Sequence, residues 1–297
     1  MAPIRIGTRG SALALVQAEH VAGLLEGETE IVAITTAGDR GEGVGDKDRW
    51  VSALEAALID GRIDVAVHSA KDVPGALAPG TEIAAIPGRE DPRDAIVGAP
   101  SLAAVPTGAR VGTASLRRAA QLRALRPDLR IVELRGNVDT RIGKLAAGEV
   151  DVLVLAAAGL RRLGREAQIG EVSDELVPAP GQGALVLQTC ADGPDLSAIG
   201  DPDATACVLS ERRFAAEIGA SCATAVGVLA RVRVAPAYKP APGFEVEMTG
   251  WVGLPDGSEW IADEVSGPAP DVGALLAERM AAAGARELLA RAAGAVS

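Results

Sequence analysis

Cysteine is scarce in this 297-residue chain. Cys190, Cys207 and Cys222 are too few and too scattered for a disulfide framework, and none stands at metal-ligand spacing from His20 or His68, so no metal is expected. Long apolar runs are missing as well: no stretch reaches the roughly 18 uninterrupted hydrophobic residues of a membrane span, and no membrane partner is expected. The opening Met1-Ala2-Pro3-Ile4-Arg5-Ile6 lacks a basic n-region, an apolar core and a cleavage site, which points to the cytoplasm. Positive charge is in deficit overall. A formal net charge of −11 repels polyanions, so no nucleic-acid partner is expected.

What the chain has is enough apolar content to fold. Hydrophobic residues make up 48% and the mean hydropathy is +0.21, values of a globular protein long enough for two or three domains with substantial cores. Local charge runs against the total: between Arg110 and Lys144 nine basic residues face three acidic ones. That segment holds no aromatic residue, so base stacking has no platform and a small polyanionic ligand is the better match.

Short β-rich runs alternate with helical patterns through the first two thirds. The runs are Ile4–Ile6, Ile31–Thr35, Ile63–Val67, Ile83–Ile86, Ala95–Val97, Arg110–Gly112, Ile131–Leu134 and Val152–Leu155, and helices are expected over Ser11–Leu25, Trp50–Asp60 and Leu116–Leu125. This is the alternation of an α/β fold with parallel strands. Pro87–Arg93 and Val177–Gly183, broken by proline and glycine, read as crossings between two lobes. From about residue 204 the pattern changes to a helix over Ala204–Gly219, strands over Phe244–Val252 and Trp260–Val265, and one long amphipathic helix over Val272–Ala293. The expected division is residues 1–87 with 184–201, residues 93–178, and a smaller α/β unit over 204–297.

Two stretches repeat one design. Ile6-Gly7-Thr8-Arg9-Gly10-Ser11 and Val111-Gly112-Thr113-Ala114-Ser115 each read as strand, Gly-Thr turn and a serine that can cap the next helix, which offers N–H groups and a positive dipole end to an anion. Arg9 at one turn and Arg117-Arg118 at the other favour a carboxylate, which guanidinium forks match. Elsewhere, His68-Ser69-Ala70-Lys71-Asp72-Val73-Pro74 follows the apolar run Ile63–Val67. A strand ending in a carboxylate beside a cation and stopped by proline puts Asp72 at the carboxyl edge of a sheet, where open α/β folds hold their ligands. Gly219-Ala220-Ser221-Cys222-Ala223 is a small-residue loop after a helix, where a thiol can be exposed.

Together these stretches resemble the porphobilinogen deaminase (hydroxymethylbilane synthase) family. The matching motifs, in order, are Gly7–Ser11, His68–Pro74, Arg89-Glu90-Asp91-Pro92-Arg93-Asp94-Ala95, Gly112–Arg118, Leu134-Arg135-Gly136-Asn137-Val138-Asp139-Thr140-Arg141, Ala158–Gly164 and Pro180-Gly181-Gln182-Gly183-Ala184. The resemblance covers essentially the whole chain. It implies two α/β lobes like those of periplasmic binding proteins flanking a cleft, plus a smaller α/β C-terminal domain. It further implies a transferase of tetrapyrrole and heme biosynthesis that joins four porphobilinogen molecules head to tail, loses ammonia at each step, and frees hydroxymethylbilane with water. A dipyrromethane cofactor, held by a thioether, primes that reaction, and by position its sulfur belongs to Cys222.

Asp72 matches the family's catalytic aspartate. Lys71, Thr113, Ser115, Arg117 and Arg118 match cofactor-binding positions, while Arg9, Ser11, Lys47, Arg135, Arg141 and Arg162 match positions that take substrate carboxylates. Each pyrrole ring carries an acetate and a propionate, so the arginine excess has a purpose. Loss of ammonia leaves a cationic azafulvene, and Asp72 can accept pyrrole N–H bonds, steady the positive charge and shuttle protons. A monomer acting on a small molecule is the expected form.

The chain departs from the family in three places. Ala220-Ser221-Cys222 stands where Gly-Gly-Cys is usual, with Ala225 where proline is common. Asp46-Lys47-Asp48-Arg49-Trp50 replaces Gly-Lys-Gly-Leu-Phe, leaving Lys47 and Trp50 at the lysine and aromatic positions, and Ala114 stands where serine is frequent. Two other readings remain open here: an anion-binding protein of the same lobe architecture, which the carboxylate of Asp72 argues against, and a paralogue that keeps the fold without the cofactor.

Overall fold

A computed structural model of the protein describes residues 2–37, 48–221, 224–233 and 244–294. Along the chain come β1 (Ile4–Arg9), α1 (Ala12–Leu24), β2 (Thr29–Ile34), α2 (Asp48–Ile59), β3 (Val65–Ser69) and β4 (Thr81–Ala85). There follow β5 (Asp94–Val97), β6 (Arg110–Gly112), α3 (Leu116–Leu125), β7 (Arg130–Val132), α4 (Val138–Ala146), β8 (Val152–Ala156), α5 (Ala157–Arg162) and β9 (Ile169–Ser173). The last part holds β10 (Leu185–Cys190), α6 (Pro202–Ile218), β11 (Ala225–Val232), β12 (Glu245–Gly253), β13 (Trp260–Pro268), α7 (Asp271–Ala282) and α8 (Ala285–Gly294). By internal contact the chain divides into two compact units, Met1–Glu90 with Gly183–Thr205, and Asp91–Gln182 with Ala206–Ser297.

In the first unit the strands lie in the order β2-β1-β3-β10-β4. β1 runs parallel to β2 and β3, and β10 runs antiparallel to β3 and β4. Side chains alternate across β3: Val65 and Val67 pack with Ala18 and Val21 of α1, while Ala66 packs with Leu54, Ala57 and Leu58 of α2. Both faces are thus covered by a helix, which is why the strand reads as an apolar run.

The second unit repeats this sheet in the order β7-β6-β8-β5-β9, with β6 parallel to β7 and β8, and β5 antiparallel to β8 and β9. β1 answers to β6, β3 to β8 and β10 to β5. The α/β class expected from the alternation holds, but the sheets are mixed rather than parallel. Connectivity is the reason: β5 and β10 are the strands laid down directly after the chain passes from one unit into the other.

The same unit holds an antiparallel meander, β11-β12-β13, packed under α6, α7 and α8 around Phe214, Met248, Leu276, Met280 and Leu288. The free edge of β11 is covered by the segment after β9, where Val228 N donates to the Pro178 carbonyl at 2.8 Å. The helix expected over Val272–Ala293 is two helices. Gly284 takes a φ of +99°, open to glycine and strained for other residues, and its carbonyl accepts from Leu288 N at 3.0 Å as the new helix begins. Among the described residues no helix is long and apolar enough to cross a membrane, and no group of histidine, cysteine and carboxylate side chains could hold a metal.

Candidate active site

In the first unit the site grows from the end of β3. The strand stops at Ser69 and Ala70–Asp72 forms one 3-10 turn. Ala70 N donates to the Ala184 carbonyl at 3.0 Å and Val73 N to the Ala70 carbonyl at 3.2 Å. Ala70 and Val73 are buried and clamp the turn from both ends, which leaves Lys71 and Asp72 half-buried at its tip. Asp72 therefore sits one turn beyond the strand rather than on its last residue. Behind it, buried Gln17 of α1 donates from Nε2 to Ser69 Oγ at 3.1 Å and fixes the start of the turn.

His68 is buried on the α2 face of β3. Burial pushes its pKa down to about 4, against the opposing fields of Glu55 and Asp72 and a hydrogen bond to Gln188, so the imidazole is neutral. Beside it Gln188 Nε2 donates to Glu55 Oε1 at 2.9 Å and Thr81 Oγ1 at 2.7 Å, and Glu55 Oε1 also accepts from Ala78 N at 3.0 Å. This polar group ties α2 to the sheet. Nearby, Ser11 caps α1, its Oγ accepting from Ala14 N at 3.3 Å, and Arg9 closes β1 with its guanidinium over the Trp50 ring.

The second unit builds a charge cluster where β6 meets α3. Ser115 caps α3, its Oγ accepting from Arg118 N at 3.4 Å, and its own N donates to buried Thr113 Oγ1 at 3.1 Å. Arg117 and Arg118 follow, both buried, and converge on Asp94 of β5, which has no exposed surface. Arg117 Nη1 donates to Asp94 Oδ2 and to the Val177 carbonyl, each at 2.7 Å. Arg118 gives its Nε and Nη2 to Asp94 Oδ1 and its Nη1 to the Val154 carbonyl at 3.1 Å. Gln182 Nε2 adds a bond to Asp94 Oδ1 at 2.8 Å. Burial alone would raise the Asp94 pKa; the two guanidinium charges overcome it and hold the carboxyl far below the usual range.

Arg118 places its guanidinium donors on protein oxygens, whereas Arg117 Nε has no hydrogen-bond partner among the described residues. Arg141 of α4 is a second cation of that kind. Its Nε is buried and unpartnered, no carboxylate pairs with it among the described residues, and burial together with the charge of Arg118 pushes its pKa down to about 10. Arg162 is half-buried at the end of α5, next to Arg161, which reaches Asp91 at 3.4 Å. Arg135 is exposed and paired with Glu133 at 2.6 Å. Lys47 and Cys222 lie outside the described residues.

Asp94, Gln182 and Gln17 were given no role from the sequence. For Asp94 a signal existed: it is a carboxylate opening the apolar run Ala95-Ile96-Val97, and such a charge is buried only when cations come with it.

Residues 4–198 match the family model described as the dipyrromethane cofactor binding domain of porphobilinogen deaminase, and residues 205–282 match that of its C-terminal domain. A porphobilinogen deaminase of Roseiflexus sp. (strain RS-1) is 46% identical over 96% of this chain and 98% of the relative. That of Chromobacterium violaceum is 44% identical over 98% of each, and that of Deinococcus radiodurans 42% over 97% and 98%. Among solved structures, the periplasmic VFT2 domain of Bordetella pertussis BvgS aligns with a TM-score of 0.39 and 17% identity over 66% of this chain and 84% of that one.

Proposed function

The chain belongs to the porphobilinogen deaminase family, and from that membership we propose which of its residues carry the family's reaction. The activity is that of a transferase, hydroxymethylbilane synthase, which condenses four porphobilinogen molecules head to tail with release of ammonia in tetrapyrrole and heme biosynthesis. The cofactor is dipyrromethane. When bound it supplies the free pyrrole carbon to which the first porphobilinogen is joined.

The residues present fit such a group. A dipyrromethane brings two carboxylates on each ring, and the second unit sets Arg117 and Arg118 on the buried carboxylate of Asp94 and Arg141 within the field of Arg118, which leaves positive charge in surplus. That surplus, with the Nε atoms of Arg117 and Arg141 that have no partner among the described residues, is the observation that carries the reading. Arg117 takes a cofactor carboxylate, and Arg118 holds Asp94 so that Arg117 keeps its place. Thr113, Ser115 and Lys71 are the accompanying hydrogen-bond donors. Arg9, Ser11, Arg135, Arg141, Arg162 and Lys47 receive the carboxylates of porphobilinogen.

Asp72 is the catalytic group. Departure of ammonia leaves a cation on the substrate, and a fixed carboxylate accepting the pyrrole N–H bond stabilises it more than it stabilises neutral porphobilinogen. The same oxygen can take up the proton released when the new carbon–carbon bond is complete. Residues 1–87 with 184–201 carry Asp72, residues 93–178 carry the carboxylate-binding arginines, and residues 204–297 carry the sulfur of Cys222 as the thioether anchor. The protein works in the cytoplasm as a monomer and binds no nucleic acid.

Intact-mass measurement of the purified protein tests this reading. An adduct of two pyrrole units is expected, lost in Cys222→Ala and kept in Cys190→Ala. Active protein of unmodified mass would overturn it.

A further inference from the structure

One carbonyl oxygen in the second unit serves two side chains. The Val177 oxygen accepts from Arg117 Nη1 at 2.7 Å and from Gln121 Nε2 at 2.9 Å, which occupies both of its lone pairs. Gln121 also accepts from Val177 N, through Oε1 at 2.7 Å. Its amide thus pairs with both backbone groups of a single residue. Arg117 and Gln121 stand four residues apart on α3, so their side chains leave the same face of the helix, and Gln121 is only 2% exposed.

The Val177 peptide depends on that pairing. It lies past the end of β9, outside any strand, and is half-buried, so its N–H and C=O need partners that no sheet supplies. Pro178 follows, which has no N–H to offer and confines Val177 to extended backbone. On the far side runs β11. A Cβ on Gly227 would lie 2.6 Å from the Val177 oxygen and 3.2 Å from Gln121 Nε2, and the strand approaches this closely because residue 227 is glycine. The peptide is therefore held between α3 and β11, with Gln121 as its hydrogen-bond partner.

Arg117 inherits that placement. Its Nη1 has two oxygens, Asp94 Oδ2 and the Val177 carbonyl, each at 2.7 Å. Two fixed points on one nitrogen set the plane of a guanidinium, and the plane sets the direction of its other donors. One of these points is a charge from β5; the other is a neutral carbonyl aimed by Gln121.

We propose that Gln121 is a positioning residue for the dipyrromethane cofactor: its amide fixes the Val177 carbonyl, which holds the Arg117 guanidinium in the pose that receives a cofactor carboxylate. The inference rests on the assignment of Arg117 to a cofactor carboxylate made above. Gln121 acts through Val177 and Arg117, and its contribution is to holding the cofactor rather than to the chemical step.

Intact mass and melting curves of the purified protein test it. The gain in melting temperature of the loaded protein over its Cys222→Ala counterpart, both verified by mass, measures cofactor binding without turnover. In Gln121→Met the gain is expected to fall by at least half and the fraction carrying the two-pyrrole adduct to fall with it. In an Arg117→Lys background, where a point charge has no plane to set, Gln121→Met removes less than about a fifth of the remaining gain, because the two residues act as one unit. Equal lowering of the loaded and unloaded forms, which leaves the gain intact, marks a purely structural glutamine and overturns the proposal. So does the full loss persisting in the Arg117→Lys background. If Arg117→Leu alone leaves the adduct and the gain unchanged, it is the assignment of Arg117 that fails, and the inference falls with it. Should Gln121→Met not fold, Gln121→Glu, which keeps the acceptor for Val177 N and loses only the donor to its carbonyl, replaces it in each comparison.

Discussion

Arg118 meets Asp94 with Nε at 3.0 Å and Nη2 at 2.7 Å, both ending on the same carboxylate oxygen, and the other oxygen is left to Arg117. One anion therefore balances two buried cations. Asp94→Asn keeps the shape and deletes the charge, and it is expected to cost about 3–5 kcal/mol because two guanidiniums stay buried without compensation. Urea unfolding measures the loss. A cost under about 1 kcal/mol would mean that the pair escapes to water when the carboxylate is removed.

Arg141 should respond in the opposite sense. Its guanidinium is partly desolvated with no carboxylate among the described residues to repay the cost, so Arg141→Leu is expected to leave the melting temperature unchanged or raise it. Affinity moves the other way, with KM for porphobilinogen rising about tenfold or more as a charge-assisted hydrogen bond is lost. Melting curves and kinetics on one preparation check both halves. A lower melting temperature with unchanged KM contradicts the ligand role.

His68 makes stability depend on pH. Its folded-state pKa is about 4 against an ordinary 6.5, so as pH falls the unfolded chain takes up the proton first. The contribution of the neutral imidazole is complete above about pH 6.5 and drains away down to about pH 4, a span worth roughly 3 kcal/mol. His68→Gln should flatten this stretch. Urea midpoints of both proteins at several pH values across it give the comparison, and parallel curves would reject the assignment.

Asp72→Asn separates chemistry from folding. The side chain is half-buried on a turn held by Ala70 and Val73, so its replacement should barely move the melting temperature. An amide cannot balance a cation, and formation of hydroxymethylbilane is expected to fall by about 100-fold or more. Near-normal turnover would remove Asp72 from the mechanism.

How much of this was legible before the structure follows from which signals are local. Capping serines, apolar runs and the Gly-Thr turns depend on neighbours in sequence, and Leu116–Leu125 or Arg110–Gly112 fall where the pattern puts them. Strand direction is not local. Nothing within Leu185–Cys190 says that it lies reversed between β3 and β4, because that follows from where the chain has just been. The same holds at the site: Arg117 and Arg118 stand out as cations, yet the carboxylate that claims them comes from another strand more than twenty residues earlier. The break at Gly284 is a subtler case, since a glycine amid alanines does not interrupt apolar periodicity but does permit the left-handed turn.

The placement of β10 bears on the order of assembly during synthesis. β4 has no strand partner other than β10 among the described residues, so the outer half of the first sheet waits until Leu185–Cys190 has left the ribosome. The second sheet uses strands from Asp94 to Ser173 alone and can close earlier. The region translated first is thus stitched together last, with the edge beside Asp72 open to solvent until the later-made sheet is already in place.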